Sequence, residues 1–262
     1  ISLSCNSYFA DIYRKTIDSK NYTKPNFDKW SNHIKSFGLG NYLNNDLPVG
    51  KKGVVPDSEY YDRWYPDFRW GATTTLSNSI GQGEILTTPI QLANMTAAIA
   101  NKGHYFTPHI IKNIDGDTID SRFKRPNKTS IDSIHFDTMS KALYKVYESG
   151  TAKLLQIPEI EVCGKSGTSE NFTKINGVKT QLSDHSIFVA YAPKENPIIA
   201  ISVLVENAGY GSVWAGRIAS LMIEKYIKEE ISLKKIEKLV VNKSFEKEYL
   251  KPYLGRPFKI NQ

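Results

Sequence analysis

The stretch from Ile160 to Asn207 constrains this chain most, because three strand patterns follow one another there with no helical pattern between them. Ile160-Glu161-Val162-Cys163 alternates apolar and polar side chains, the period of two that sets one face of a strand against a core. Asn176-Gly177 is the dipeptide of a tight hairpin turn, and the next strand is expected in "SIFVAYAP", Ser186 to Pro193. The third run, "PIIAISVLVEN", is continuously apolar and rich in β-branched residues, as a strand buried on both faces is. Parallel neighbours need a crossover of roughly a dozen residues or more, so hairpin-length connections imply an antiparallel sheet.

Helical periods flank this region. From Ser4 to about Lys20, Tyr8, Phe9, Ile12 and Tyr13 fall at helical spacing. Residues from Tyr22 to Asn78 are rich in Gly, Pro, Asn and aromatics, including Leu47-Pro48-Val49-Gly50 and Trp64-Tyr65-Pro66, and read as loops with short helices. The start and stop signals agree best in "TTPIQLANMTAAIANKG". There Thr88 is the N-cap, Pro89 stands in the first turn, Gln91 completes a capping box and Gly103 follows the end. A further helix is expected from Phe136 to Glu148, with Phe136, Met139, Leu143, Val146 and Tyr147 on one side. After the strands, Trp214, Ile218, Leu221, Met222 and Tyr226 recur at helical intervals. Helices, three strands and a helix in that order predict an α/β architecture, an antiparallel sheet covered by helices.

The chemistry concentrates in "VCGKSGTSEN", Val162 to Asn171. Gly164-Lys165-Ser166 resembles the end of a phosphate-binding P-loop, but the first glycine of that motif would have to stand where Glu159 is. A carboxylate there repels phosphate, so the nucleotide reading fails. An ammonium and two hydroxyls instead suit a carboxylate, and a strand-edge amide can pair with an extended peptide. Lys165, Ser166, Gly167 and Thr168 thus suit a peptide ending in a carboxylate, Gly167 letting a ligand backbone come close; they also suit a solvated turn after an edge strand. A second polar pair, Ser4 and Asn6 of Ser4-Cys5-Asn6, stands at the start of the first helix, where both side chains could point into one cleft or merely cap it.

Composition adds limits. A formal net charge of +7 favours anionic surroundings, yet many lysines of the last forty residues interleave with glutamates, as on a solvated helix face. Two cysteines, Cys5 and Cys163, are too few for a disulfide scaffold and are expected as buried thiols. No apolar run reaches the length of a membrane span, and no signal peptide or internal repeat is present.

Taken together, "SCNSYFA", "SNSIGQGEILTTPIQLANMTAAIANKG", "ESGTA", "GKSGTSEN", "DHSIFVAYAP" and "ISVLVENAGYGS" resemble the class B penicillin-binding proteins, within them the elongation-type penicillin-binding protein 2 group. The family's motifs are S-x-x-K, S-D-N and K-T-G, for which this chain has S-C-N and K-S-G followed by Thr. The resemblance implies the penicillin-binding protein and serine β-lactamase fold and a DD-transpeptidase that cross-links peptidoglycan stem peptides ending in D-Ala-D-Ala, inhibited by β-lactams. By position it implies that Ser4 shuttles a proton to the leaving amine, Asn6 bonds the substrate amide and Lys165 tunes that network. Ser166 and Thr168 would then bind the terminal carboxylate, with the Thr168 amide forming half of an oxyanion hole. It further implies a membrane glycosyltransferase partner, no cofactor, no nucleic acid, and a place on the extracytoplasmic face of the bacterial inner membrane.

The nucleophile motif does not fit within the chain. Its S-x-x-K matches, Ser121 to Lys124, Ser232 to Lys235 and Ser244 to Lys247, all follow Ser4 in polar surroundings, whereas the family's nucleophile precedes S-x-N and opens a buried helix. The nucleophile and a membrane anchor are therefore expected upstream of Ile1, and residues 1–262 as the C-terminal part of one transpeptidase domain. Its expected parts are helices and loops to residue 159, strands over 160–206, a helix over 211–230 and a tail over 231–262. Alone it is expected not to catalyse. Asp184-His185 is expected only to begin the strand after the hairpin, and Cys5 could ligate a metal as some relatives do beside this motif, with no complete ligand set in view. A β-lactamase or β-lactam sensor of the same fold is the rival, weakened by the absence of the E-x-x-L-N loop, and a non-catalytic scaffold is the third reading.

Overall fold

A computed structural model describes residues 1–19, 23–47, 49–114 and 118–246. Pro48 of the expected Leu47 to Gly50 loop, Tyr22, and the expected tail from residue 247 onward lie outside the described residues. The chain divides into two units, Ile1–Lys165 with Val189–Ser202, and Ser166–Phe188 with Val203 onward.

In the first unit α1 (Asn6–Ile17), α2 (Thr23–Lys35) and α3 (Ser58–Trp64) enclose an aromatic core of Tyr13, Ile17, Phe27, Tyr61 and Trp70. Phe27 is fully buried, with the rings of Trp30, Tyr61 and Trp70 each centred 5.4 Å away, the spacing at which aromatic rings attract. The sequence offers α1 two apolar lines, and the one through Phe9, Tyr13 and Ile17 faces inward while Tyr8 and Ile12 are exposed. Longer by one residue, that line buries more apolar surface. Tyr13 donates its hydroxyl proton to Thr75 Oγ1 at 2.8 Å, and burial pushes its phenol up to about 12.

The capping signals hold at α4 (Pro89–Ala100). Gln91 N–H donates to Thr88 Oγ1 at 3.4 Å and Thr88 N–H donates to Gln91 Oε1 at 2.9 Å. The buried Gln91 amide also reaches three backbone carbonyls, of Gly38 at 3.3 Å and of Asn41 and Lys52 at 2.9 Å. Gly103 follows with φ of 108°, and a short antiparallel ribbon of β1 (His104–Phe106) and β2 (Pro126–Lys128) comes next. The expected helix is α5 (Phe136–Glu148), burying Phe136, Leu143, Val146 and Tyr147. Met139 is exposed instead, because Ser140 takes the inward place: its Oγ accepts from the Tyr191 hydroxyl at 2.8 Å and its carbonyl from Cys163 Sγ at 3.4 Å.

The described strands β3 (Cys163–Ile175), β4 (Val178–Ala192) and β5 (Ile199–Val205) form a sheet in the order β3-β4-β5. Asn176 and Gly177 take φ of 51° and 81°, the two left-handed residues that fold one strand directly back on the next. The boundaries differ from expectation. Ile160 forms only an isolated bridge with Ile157, the strand starts at Cys163, and Lys165-Ser166-Gly167-Thr168 opens it rather than ending it. Likewise β4 begins well before Ser186 and carries Asp184-His185 within it. The apolar third run is not buried on both faces, since Ile198 and Leu204 are exposed; among the described strands β5 pairs only with β4. In the first unit Leu143, Cys163 and Tyr191 form a second core cluster, against which Ile1, Ile99, Tyr144 and Ala200 pack.

In the second unit α6 (Ala215–Lys228) buries Ala215, Ala219, Ser220, Ile223 and Glu224. Of the expected apolar line, Leu221 is buried while Met222 and Tyr226 are exposed, small residues forming much of the inner face. The buried Glu224 carboxylate accepts from the Ser232 hydroxyl and from Leu233 N–H, which ties α6 to the start of α7 (Lys234–Val241). No residue of α7 is buried, as a solvated face of lysines and glutamates requires.

Candidate active site

Within the first unit, Lys165 Nζ donates to Ser4 Oγ at 2.6 Å, joining the two sequence-predicted motifs across 161 positions. Cys163 and Lys165 share one face of β3, two residues apart. Cys163 is seated in the core cluster, and Ile1 packs on that same cluster, so the face that carries Lys165 is also the one on which the N-terminal turn rests. Burial holds the Lys165 ammonium below its usual value of 10.5, because desolvation penalises the charged form. A hydroxyl oxygen this close to a partly desolvated ammonium is polarised and can pass a proton along the contact.

Ser4 is held in an unusual backbone state. Its φ is 52°, a left-handed conformation that costs a non-glycine residue on the order of 1 kcal/mol, and its N–H closes a tight turn on the Ile1 carbonyl at 3.1 Å. The helix start is not capped by Ser4 or Asn6: the N-cap is Cys5, whose side chain makes no capping bond, and Asn6 is the exposed first residue of α1. Cys5 is exposed, contrary to the buried thiol expected. A helix terminus leaves its side chain in solvent, where hydrogen bonds from the Ser7 hydroxyl at 3.4 Å and the Tyr8 backbone draw the pKa of the thiol below its usual value. Cys163 is buried, as expected, and burial pushes it up to about 11. Among the described residues no group of three or more His, Cys, Asp or Glu is arranged to hold a metal.

In the second unit, Ser166 and Thr168 alternate with Gly167 along β3, so the two hydroxyls share a face. Thr168 Oγ1 accepts from Gly211 N–H at 3.4 Å. Gly211, in the loop before α6, is a residue that sequence reasoning assigned no role. A Cβ there would lie 2.2 Å from the Gly167 carbonyl oxygen and 2.3 Å from that of Ile187, so only glycine lets this loop lie against the strands. Ser186 completes the anchor, donating to the Tyr210 carbonyl at 2.9 Å and accepting from Ala215 N–H at 3.1 Å. The signal that could have found Gly211 is its place two residues after Gly209 in a loop that must cross back over the sheet.

Asp184 and His185 have a structural use. His185 Nδ1 accepts from Asn207 N–H at 3.2 Å, which fixes the chain just after β5. Burial, with Glu170 nearby, raises the Asp184 carboxyl above its usual range.

Comparison with known proteins sets this geometry in a family. Residues 1–224 match the penicillin binding protein transpeptidase domain. The peptidoglycan D,D-transpeptidase MrdA of Haemophilus influenzae is 31% identical over 217 residues, 78% of this chain and 33% of that protein. The chain therefore spans about a third of the length of the curated relatives it matches. The crystal structure of Pseudomonas aeruginosa PBP2 in complex with WCK 5153 is similar at a TM-score of 0.68 and 29% identity, over 85% of this chain and 45% of that one. A chain from a structure of a peptidoglycan synthase complex, concerned with the coordination of polymerization and crosslinking, is similar at a TM-score of 0.71 and 26% identity, over 89% of this chain and 38% of that one.

Proposed function

The chain belongs to the penicillin-binding protein transpeptidase family, and from that premise we propose that it carries the proton-transfer and substrate-binding half of a serine DD-transpeptidase that cross-links peptidoglycan in cell-wall elongation. The contact of Lys165 with Ser4 at 2.6 Å is the observation that supports this reading most, since acyl transfer needs a proton path to the departing amine.

The serine oxygen of an S-x-x-K motif, upstream of Ile1 in this reading, attacks the carbonyl of the penultimate D-Ala and gives up its proton to the network that Lys165 polarises. The amide bond breaks, the electron pair leaves with the terminal D-Ala nitrogen, and Ser4 delivers a proton to it while replacing its own from the network that Lys165 polarises. Asn6 holds the amide of the stem peptide. Ser166 and Thr168 bind the terminal carboxylate, and the Thr168 N–H stabilises the oxyanion as charge develops. An amine from a neighbouring strand then displaces the serine. A β-lactam enters the same path and stays as a stable acyl group.

The resemblance to a chain of a peptidoglycan synthase complex supports a membrane glycosyltransferase as partner, at the extracytoplasmic face of the inner membrane. No helix among the described residues is long and apolar enough to cross a membrane, and in this reading the anchor lies upstream.

The test is the intact mass of the polypeptide extended upstream of Ile1, before and after benzylpenicillin, with the adduct mapped by digestion. One stable adduct on a serine upstream of Ser4 is expected. An unmodified protein with intact drug overturns the enzyme reading in favour of a scaffold, and an unmodified protein with rapidly consumed drug makes it a β-lactamase.

A further inference from the structure

We infer that Gly150 is a positioning residue for Ser4, acting through the turn Ile1–Ser4 rather than by touching substrate. Gly150 lies just past the C-terminus of α5, in the first unit with Ser4 and Lys165. The positions with positive φ do not include it, so no torsion demands glycine there. Space does. A Cβ on Gly150 would stand 2.6 Å from the Ser2 carbonyl oxygen, 2.9 Å from Val146 Cα and 3.0 Å from the Lys145 carbonyl oxygen.

The last two atoms belong to the final turn of α5, whose Lys145 carbonyl is already bonded by Ser149 N–H and whose Val146 side chain is fully buried. They cannot yield easily. Ser2 belongs to a single turn, held by the half-buried Ile1 on one side and by Ser4 N–H on the other. Ordinary contact begins at 3.4 Å, so a methyl group on Gly150 drives the Ser2 carbonyl back by about 0.8 Å. Ser4 moves with it, because its left-handed φ leaves the backbone little room to compensate. A displacement of that size lengthens the 2.6 Å contact with Lys165 to as much as about 3.4 Å, past the 2.7–3.2 Å of a well-made bond, and so weakens it.

The inference rests on the acyl-transfer reading for its effect on rate, but not for its effect on Lys165. The test uses the full-length protein in four forms: unaltered, Gly150→Ala, Ser4→Ala and the double variant. In each form the benzylpenicillin acylation rate constant and pre-acylation affinity are measured, and Lys165 is titrated by NMR of 13C-methylated lysines, assigned through Lys165→Arg. Gly150→Ala is expected to slow acylation by on the order of a hundredfold, as misplacement by about 1 Å does, with little change in pre-acylation affinity. It is expected to move the Lys165 titration in the same direction as Ser4→Ala. In the Ser4→Ala background it should add nothing to either readout, since its effect passes through that hydroxyl.

An unchanged rate and titration in Gly150→Ala, or effects that add to those of Ser4→Ala, overturn the inference and leave the transpeptidase reading standing. If the unaltered protein forms no adduct, that reading falls, and the titration cycle alone decides whether Gly150 positions Ser4. Should Gly150→Ala not fold, Ile1→Ala loosens the other end of the turn and is read by the same cycle.

Discussion

Replacing Ser4 by Ala removes the hydroxyl oxygen that receives the Lys165 ammonium at 2.6 Å. A hydrogen bond from a charged group contributes roughly 1.5–3 kcal/mol, and one pKa unit corresponds to about 1.4 kcal/mol. Ser4 is only half-buried, so water refills part of the space and the lower end of the range applies. The expected outcome is that the Lys165 pKa, already held below 10.5 by burial, falls further. The sign carries into stability. A lysine whose pKa is lower folded than unfolded makes the unfolded chain the better proton binder between the two values, so stability rises with pH across that window. Losing Ser4 widens the window downward. The variant should therefore be less stable than the parent at neutral pH by roughly 1 to 1.5 kcal/mol, with the gap closing as pH climbs past the folded pKa of Lys165. NMR titration of 13C-methylated Lys165 gives the first quantity, and urea unfolding at a series of pH values the second. A Lys165 pKa that stays put or rises in Ser4→Ala would refute the reasoning, because the hydroxyl would then contribute nothing to the charged state.

Two further outcomes follow from packing. Phe27→Ala empties the centre of the aromatic core, where three rings lie 5.4 Å from Phe27, and should cost about 3–5 kcal/mol in urea unfolding; a loss under about 1 kcal/mol would show that the core collapses around the gap. Gly211→Ala puts a methyl group 2.2 and 2.3 Å from two strand carbonyl oxygens, so a loss near 3 kcal/mol is expected, together with faster amide exchange at Gly211, whose N–H bonds Thr168 Oγ1. Exchange at the parental rate would mean that the loop lies on the strands without help from this residue.

The parts of this molecule legible in sequence are those where local chemistry alone decides. Thr88, Pro89, Gln91 and Gly103 mark out α4, and Asn176-Gly177 marks the hairpin turn, because caps and left-handed turns depend on few neighbours. Which apolar line of α1 faces inward depends on α2 and α3, and the period of the helix permits either. The extent of β3 is hidden for a similar reason: Lys165, Ser166 and Thr168 are polar, and polar residues read as a turn until a neighbouring strand pairs with them. For the apolar run of β5, composition could not reveal that it pairs on one side only among the described strands. At the candidate site, Lys165 and Ser4 stand out by motif, but the motif carries no distance, and their contact shows only in the fold. Gly150 and Gly211 stayed silent because the requirement at each is for empty space, which shows only when the opposing backbone is in place.

The capping glutamine of α4 links two processes usually counted apart. Gln91 closes the first turn of a helix and, with the same amide group, donates to the carbonyls of Gly38, Asn41 and Lys52. Three acceptors meet two amide protons, so one proton is shared, and the loop can neither rearrange one strand of its path alone nor leave while the cap persists. Unwinding the start of α4 and releasing the chain at Gly38, Asn41 and Lys52 are thus a single opening event. A segment that composition marks as loop thereby takes on the lifetime of a helix, and its amides should exchange on the schedule of α4 rather than that of free surface chain.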